Sequence, residues 1–267
     1  MTRITDIVDN RAAAGFVAEH GLSLLIEHGD ERILFDTGAG VALRPNAAKL
    51  GIDLGGVTRI VLSHSHNDHT GGLGGLAPEC PIHVGDGFDV PCFSRHADGS
   101  VHSLTVPSDA KAVLAAADVR VGRRFGEIAK GIYLSGRIAR TSGEDNGKSF
   151  YCDEPCTTRN YVFEEQALLT EEGVLVTGCC HAGIVNTVQA FRRAVPHIAI
   201  RTIVGGLHLC HATEDEVERT GDFLRQLNLA RLILLHCTGE AAGAELDEML
   251  SCPVVWGSAG SVLLDLF

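Results

Sequence analysis

Short runs of apolar residues, separated by glycine and polar turns, cover most of the chain. Residues 21–37 alternate in polarity from Leu22 to Ile26, turn at Gly29 and Asp30, and continue into a second apolar run. A short apolar run on each side of a tight turn predicts a strand, a turn and a strand.

Further along, apolar runs too short for helices alternate with segments of helical length. Glycine is the predicted stop of the first helix, and Thr213 with Glu216 forms a predicted cap for the last one. The pattern predicts strands at 60–62, 82–84, 131–135, 164–169, 173–177, 198–204 and 231–235, and helices at 46–50, 186–195 and 214–227.

The region from about 86 to 125 lacks a clear period. It contains glycine, proline, serine and two histidines, and we expect an insertion at the surface that covers a site as a lid. Neither an internal repeat nor a Pro/Gly/Ser-rich linker is evident, so one domain spanning 1–267 is the simpler prediction.

Histidine recurs where predicted strands end in the second half of the chain. His181, His208 and His236 each follow an apolar run. Ligands of layered α/β proteins bind at the carboxyl ends of strands. The recurrence therefore predicts that the three imidazoles approach one another.

The densest cluster of potential metal ligands follows the strand predicted at 60–62. His64 and His66 are two residues apart, so in an extended segment they point to the same side. Asp68 and His69 follow as the chain turns into a glycine-rich stretch, which suits a second ion nearby. Imidazole and carboxylate ligands in this spacing predict a site for one or two divalent transition metal ions, with zinc preferred and iron, manganese and nickel as alternatives.

The cluster matches the H-x-H-x-D-H signature of the metallo-β-lactamase superfamily, and the chain resembles that superfamily. The resemblance implies a four-layer αβ/βα sandwich with one or two metal ions at the edge of two sheets. Asp36, at the start of an Asp-Thr-Gly sequence, is similar to an early superfamily element whose aspartate supports the metal loops. An ordinary turn after a strand is the alternative for Asp36.

Four later motifs resemble one branch of the superfamily, which includes archaeal dihydropterin ribofuranosyl-aminobenzene phosphate synthases and uncharacterised hydrolase-like proteins. The resemblance extends over roughly residues 20 to 262. It does not define a substrate, since members of one fold differ in reaction. The motifs are Gly136-Arg137-Ile138-Ala139-Arg140, the stretch 178–186, Gly205-Gly206-Leu207-His208-Leu209 and His236-Cys237-Thr238-Gly239.

His181 and His236 are the best additional metal ligands, because the first motif alone cannot complete two sites. Cys179 lies where many superfamily members have an aspartate that bridges two metals, so the resemblance implies a cysteine ligand there. A small buried thiol is the alternative. The predicted metal set is His64, His66, Asp68, His69, Cys179, His181 and His236.

The whole chain sets limits on partners and location. It has 267 residues and a net charge of -12, so binding to nucleic acid is not expected. No apolar run approaches the roughly eighteen residues of a membrane span. The start lacks the apolar segment of a signal peptide, and nine cysteines without a framework spacing predict reduced thiols in a cytoplasmic protein.

These features predict a metal-dependent hydrolase that acts on a small anionic phosphate, ester or lactone through a metal-activated water. We expect Asp68 to hold a metal and orient the water, and His208 to donate to developing charge or hold the leaving group. Arg137 and Arg140 are candidates to bind the anionic substrate, with a surface position as their alternative. A transferase of the dihydropterin ribofuranosyl-aminobenzene phosphate synthase type and an iron-binding redox or sensing protein are the competing interpretations.

Overall fold

A computed structural model describes residues 1–144 and 146–266 and contains two seven-stranded mixed sheets. In order across the first sheet, the strands are β17 (Val262–Asp265), β1 (Thr2–Val8), β2 (Ser23–His28), β3 (Glu31–Phe35), β4 (Arg59–Val61), β5 (Ile82–Gly85) and β8 (Val119–Gly122). The second sheet consists of β16 (Val254–Trp256), β15 (Arg231–Leu234), β14 (Thr202–Gly205), β13 (Val174–Thr177), β12 (Leu168–Thr170), β10 (Ile132–Leu134) and β9 (Gly126–Ala129).

The two sheets pack face to face because successive side chains of each strand point to opposite sides. In β3, Ile33 and Phe35 belong to the core between the sheets, whereas Leu34 packs on the outer side. In β15, Ile233 faces the inner core and Leu232 the outer one. Both faces of these strands are therefore buried, as in sheets that are covered by helices.

Helices cover the outer faces. Helices α1 and α3 bury apolar side chains on the first sheet, and α4, α5 and α6 lie over the second. The result is the four-layer αβ/βα architecture that the resemblance to the metallo-β-lactamase superfamily implies. The helices are α1 (Leu43–Leu50), α2 (Asn67–Thr70), α3 (Ser108–Ala116), α4 (Ile184–Ala194), α5 (Glu214–Arg225) and α6 (Glu240–Met249), with 3₁₀ turns at Gly71–Gly75 and His236–Thr238.

The region 86–125 divides into two parts. The strands β6 (Phe93–Arg95) and β7 (Val101–Ser103) join β11 (Phe150–Tyr151) in a separate three-stranded sheet. By contrast, α3 and β8 belong to the layers of the first half, because β8 extends the first sheet by pairing in parallel with β5. Only the first part of the predicted insertion, together with β11, lies outside the two main sheets.

Several predicted elements agree with the structure. Gly51 ends α1 with a left-handed φ of 69°, and Thr213 and Glu216 form the complete capping box of α5. Strands β16 and β17, which have no prediction, lie at sheet edges, and β1, also without a prediction, lies between β17 and β2. Within residues 1–144 and 146–266, none of the helices has the length and apolar character needed to cross a membrane.

Candidate metal centre

The candidate ligands lie where the carboxyl ends of parallel strands meet. His64, His66, Asp68 and His69 follow β4, while Cys179 and His181 follow β13. His208 follows β14 and His236 follows β15, and β13, β14 and β15 are adjacent parallel strands. The fold thus brings the two predicted clusters to one edge of the sandwich.

Four donor atoms converge around His69. Its Nε2 lies 3.2 Å from His236 Nε2 and 3.2 Å from Cys179 Sγ. Asp68 Oδ2 is 3.2 Å from His236 Nε2 and 3.7 Å from His69 Nε2. The side chains of His69 and His236 are almost completely buried, and separations of 3.2 Å leave no room for a water molecule between these atoms.

Residues behind the two imidazoles determine which ring nitrogen is free. His69 Nδ1 donates to Asp36 Oδ2 at 2.7 Å, and His236 Nδ1 donates to Asn10 Oδ1 at 2.8 Å. The Gly21 amide also donates to Asn10 Oδ1, which supports this orientation of the amide. In the neutral rings both Nε2 atoms therefore carry lone pairs that face each other, and they need a shared proton or a cation between them.

The charges at this position favour a cation. Burial lowers the pKa of His69, but Asp68 and Asp36 outweigh that effect and raise the pKa to about 9. Burial also opposes ionisation of Asp68, yet His69 and His236 hold the pKa of Asp68 well below its ordinary value. A proton resides on His69 when no other cation is present, and a bound metal ion would displace it.

A second group of donors lies around His64. His64 Nε2 is 3.3 Å from His181 Nε2, and Cys179 Sγ is close enough to both for the three to hold one ion. The Ser63 hydroxyl donates to Asp36 Oδ2, so His64 Nδ1 must donate to Ser63 Oγ at 2.9 Å. This leaves the lone pair on His64 Nε2 and makes Asp36 a common support for both groups.

His66 lies beside this second group without joining it. Its Nε2 is 3.2 Å from Cys92 Sγ, and its ring packs against those of His181 and Phe150. Phe150 lies in β11 and Cys92 directly precedes β6, so the three-stranded sheet covers the His66 side of the centre. Burial lowers the pKa of His66 to about 3, which keeps the ring neutral.

These donor sets fit divalent metal ions. Each of the two groups offers two imidazole nitrogens and the sulfur of Cys179, and Asp68 adds a carboxylate at the first. Three or four such donors, with the second nitrogen of most rings held by an acceptor, are typical of protein sites for zinc and related ions. The predicted ligands His64, Asp68, His69, Cys179, His181 and His236 are thus brought together, and His66 is adjacent.

The turn after β13 gives Cys179 and Cys180 different surroundings. Cys179 Sγ faces His69, whereas Cys180 packs in the core beneath α4, 3.5 Å from Thr187 Oγ1. Strand β13 ends at Thr177, and Cys180 has a left-handed φ of 62°. A tight turn, not strand alternation, therefore separates the two thiols.

His208 belongs to the same cluster through a different contact. Its ring lies 4.4 Å from that of His181, centroid to centroid, and one of its ring nitrogens lies within 4.8 Å of the sulfurs of Cys179 and Cys237. His208 and His236 both have left-handed backbones, with φ of 49° and 46°. Strained backbone of this kind costs stability and tends to persist where it positions functional groups.

The two arginines predicted to bind substrate have different environments. Arg140 donates to the main-chain oxygens of His181 and Tyr161, so its guanidinium is used to hold the loop that carries His181. Arg137 is exposed and lies 4.3 Å from the ring centroid of Phe163. Of the two, Arg137 is better placed to meet a ligand from solvent.

Several residues of the centre have no sequence prediction. Asn10 and His20 precede β2, and His20 Nε2 lies 3.3 Å from Asp68 Oδ2. Glu165 accepts hydrogen bonds from the amides of His181 and Ala182 and so fixes that turn. Cys237 lies in the motif His236-Cys237-Thr238-Gly239, so its position next to the predicted ligand His236 is the sequence feature that indicates it.

Comparisons with known proteins find similar sequences and a similar fold. Residues 17–85 match the sequence profile of the metallo-beta-lactamase superfamily. A solved structure, described as a metal-dependent hydrolase of the beta-lactamase superfamily, has a TM-score of 0.87 at 28% identity, with 99% of each chain covered.

Two relatives come from Methanocaldococcus jannaschii. An uncharacterised protein is 29% identical over 96% of this chain and 98% of its own length. A 7,8-dihydropterin-6-methyl-4-(beta-D-ribofuranosyl)-aminobenzene-5'-phosphate synthase is 28% identical over 84% of this chain and 82% of its own. The chain therefore has the metallo-β-lactamase fold, and its motif and these relatives make it similar to members of the metallo-β-lactamase superfamily.

Proposed function

We propose that this protein is a metal-dependent hydrolase of small anionic phosphates, esters or lactones. The observation that carries the proposal is the convergence of His69 Nε2, His236 Nε2, Asp68 Oδ2 and Cys179 Sγ, while Asp36 and Asn10 hold the opposite ring nitrogens. Such an arrangement offers lone pairs to a metal ion and has little other use in a buried site.

A bound divalent ion would lower the pKa of a coordinated water and polarise an ester or phosphoryl oxygen. Asp68 is the residue that orients the attacking water, because its carboxylate stays ionised and keeps 13% of its side-chain surface exposed. Asp36 is excluded from this role, since Ser63 and His69 occupy its oxygens.

On the substrate side, Arg137 attracts the anionic group, and Arg140 positions the His181 loop. His208 is the donor to developing charge or to the leaving group. Burial lowers the pKa of His208, but the neighbouring Cys237 outweighs that effect and raises the pKa. This assignment places a proton donor near His181 and an acceptor at Asp68.

A transferase that joins a dihydropterin diphosphate to a ribofuranosyl-aminobenzene phosphate is the second candidate. Besides the relative named as such a synthase, an exposed aromatic pair favours it. Tyr161 and Phe163 are stacked at 5.3 Å, about two-fifths exposed, and flanked by the guanidinium groups of Arg159 and Arg137. A platform of this kind suits a planar heterocycle that carries negative charge.

The two candidates are separated by reconstitution with zinc, iron, manganese or nickel, followed by assays on two substrate sets. One set contains phosphomonoesters, phosphodiesters and lactones, and the other contains the two transferase substrates together. Hydrolysis that disappears with a chelator and in His69→Ala supports the hydrolase, and condensation without hydrolysis supports the transferase. Turnover that persists after complete metal removal would contradict both.

A further inference from the structure

A third group of donor atoms lies beside the histidine groups. Cys179 Sγ, Cys237 Sγ and an imidazole nitrogen of His208 all lie within 4.8 Å of one another. The three residues follow three adjacent parallel strands, β13, β14 and β15. Both thiols are buried and His208 is largely buried, so the group is not an accident of mobile surface side chains.

The backbone around this group is built to bring the donors together. A Cβ on Gly206 would lie 2.6 Å from Cys237 Sγ and 2.5 Å from the Gly178 oxygen, so only glycine lets these loops approach. Thr238 Oγ1 accepts from the Leu207 amide at 3.2 Å and donates to the Leu235 oxygen at 3.0 Å. The loops after β14 and β15 are thereby tied to each other.

Ordinary packing does not account for Cys237 in the way it accounts for Cys180. Cys180 belongs to the apolar core and has a hydroxyl as its polar neighbour. Cys237 faces a second thiol and an imidazole, and its hydrogen bond to the Cys179 oxygen is long, at 3.7 Å. Two thiols and an imidazole form the soft donor set that zinc, iron and cobalt accept readily in proteins.

We infer that Cys179, His208 and Cys237 form a thiolate-rich metal site, which takes a thiophilic divalent ion and is joined to the histidine groups through Cys179. The inference rests on the proposed function in sharing Cys179 and His208, and an imidazole bound to a metal through one nitrogen keeps its proton on the other. It makes Cys237 a metal ligand, and it adds a second sulfur beside that of Cys179 to a centre whose H-x-H-x-D-H motif supplies nitrogen and oxygen donors.

Cobalt(II) is the probe, because cobalt thiolates absorb in the near ultraviolet in proportion to the number of sulfur ligands. The full-length protein is stripped of metal and titrated with cobalt, beside Cys237→Ser and Cys180→Ser. We expect Cys237→Ser to lose about half of the charge-transfer intensity, since one of two sulfurs is removed. Cys180→Ser, the matched control from the neighbouring position, should keep all of it. His208→Gln should keep the intensity but bind cobalt more weakly.

X-ray absorption at the zinc edge of the wild-type protein gives a second test that needs no variant. Sulfur from two cysteines in the first shell supports the inference. Equal cobalt spectra in wild type and Cys237→Ser, or a first shell with at most one sulfur, would overturn it while leaving the histidine site intact. A failure of the proposed function would give a different result from these two outcomes, because His69→Ala would then bind metal as wild type does.

Discussion

Asp36 Oδ2 lies 2.7 Å from His69 Nδ1, and both side chains are completely buried. The same carboxylate accepts the amide and the hydroxyl of Ser63, which in turn faces His64. Asp36 has a left-handed φ of 59°, so the backbone is strained to deliver it. One aspartate therefore orients an imidazole from each of the two histidine groups.

Asp36→Asn is expected to weaken metal binding about 10- to 100-fold, because an amide cannot accept all three hydrogen bonds that orient these imidazoles. Competition with a chromogenic chelator measures the affinity, and circular dichroism confirms the fold. Asp30→Asn, in an exposed turn, is the control and should bind as wild type. An unchanged metal affinity in Asp36→Asn would contradict the supporting role of Asp36.

Arg137→Ala should raise KM for an anionic substrate about three- to tenfold with little change in kcat, since an exposed cation binds ground and transition states alike. Steady-state kinetics measure both constants, and Arg192→Ala, exposed on α4, is the control. A normal KM for Arg137→Ala with every anionic substrate would indicate that Arg137 is a surface charge that does not bind substrate.

Arg140→Ala should behave differently, because Arg140 donates to the His181 and Tyr161 oxygens. We expect a lower free energy of unfolding, by about 1–3 kcal/mol, and lower metal affinity. Urea unfolding and metal competition check the two effects, and Arg140→Lys should restore part of each. A pure increase in KM with normal stability would instead support direct contact with the substrate.

Thr213→Ala should lower the free energy of unfolding by about 1 kcal/mol, because it removes the cap of α5. Urea unfolding tests this, with exposed Glu218→Ala as the control on the same helix. The hydrogen bond from Lys148 lowers the pKa of Glu216, the other half of the capping box, to about 2 from an ordinary 4.5. The stabilisation from Glu216 is therefore present above pH 4.5 and declines as the pH falls towards 2. Equal stability of wild type and Thr213→Ala at neutral pH would contradict the role of the cap.

The sequence predicts most of the interior of the fold because buried strands leave a strong pattern. Strands β3 and β15 are apolar on both faces, and both are found close to their predicted bounds. Strands β16 and β17 lie at sheet edges and keep partly exposed side chains, so their pattern is weak. The conformation of an edge strand depends on the strand that pairs with it, and the local sequence does not contain that partner.

The candidate ligands also divide into residues that a local pattern predicts and residues that depend on distant contacts. The H-x-H-x-D-H spacing and the strand-end histidines indicate the cluster from local sequence alone. The contacts of Asn10 with His236 and of Cys92 with His66 span 226 and 26 residues. No local pattern marks such partners, because only the packing of the sheets and of the small three-stranded sheet brings them to the centre.

The most direct test of the account is the metal content of wild-type protein and His69→Ala after reconstitution with zinc and removal of loosely bound metal. Exposed His102→Ala serves as the control. Elemental analysis should find at least one tightly bound ion per chain in wild type and in His102→Ala. His69→Ala, which stays folded by circular dichroism, should lose most of its metal. Equal metal content in His69→Ala and wild type would contradict the assignment of the centre.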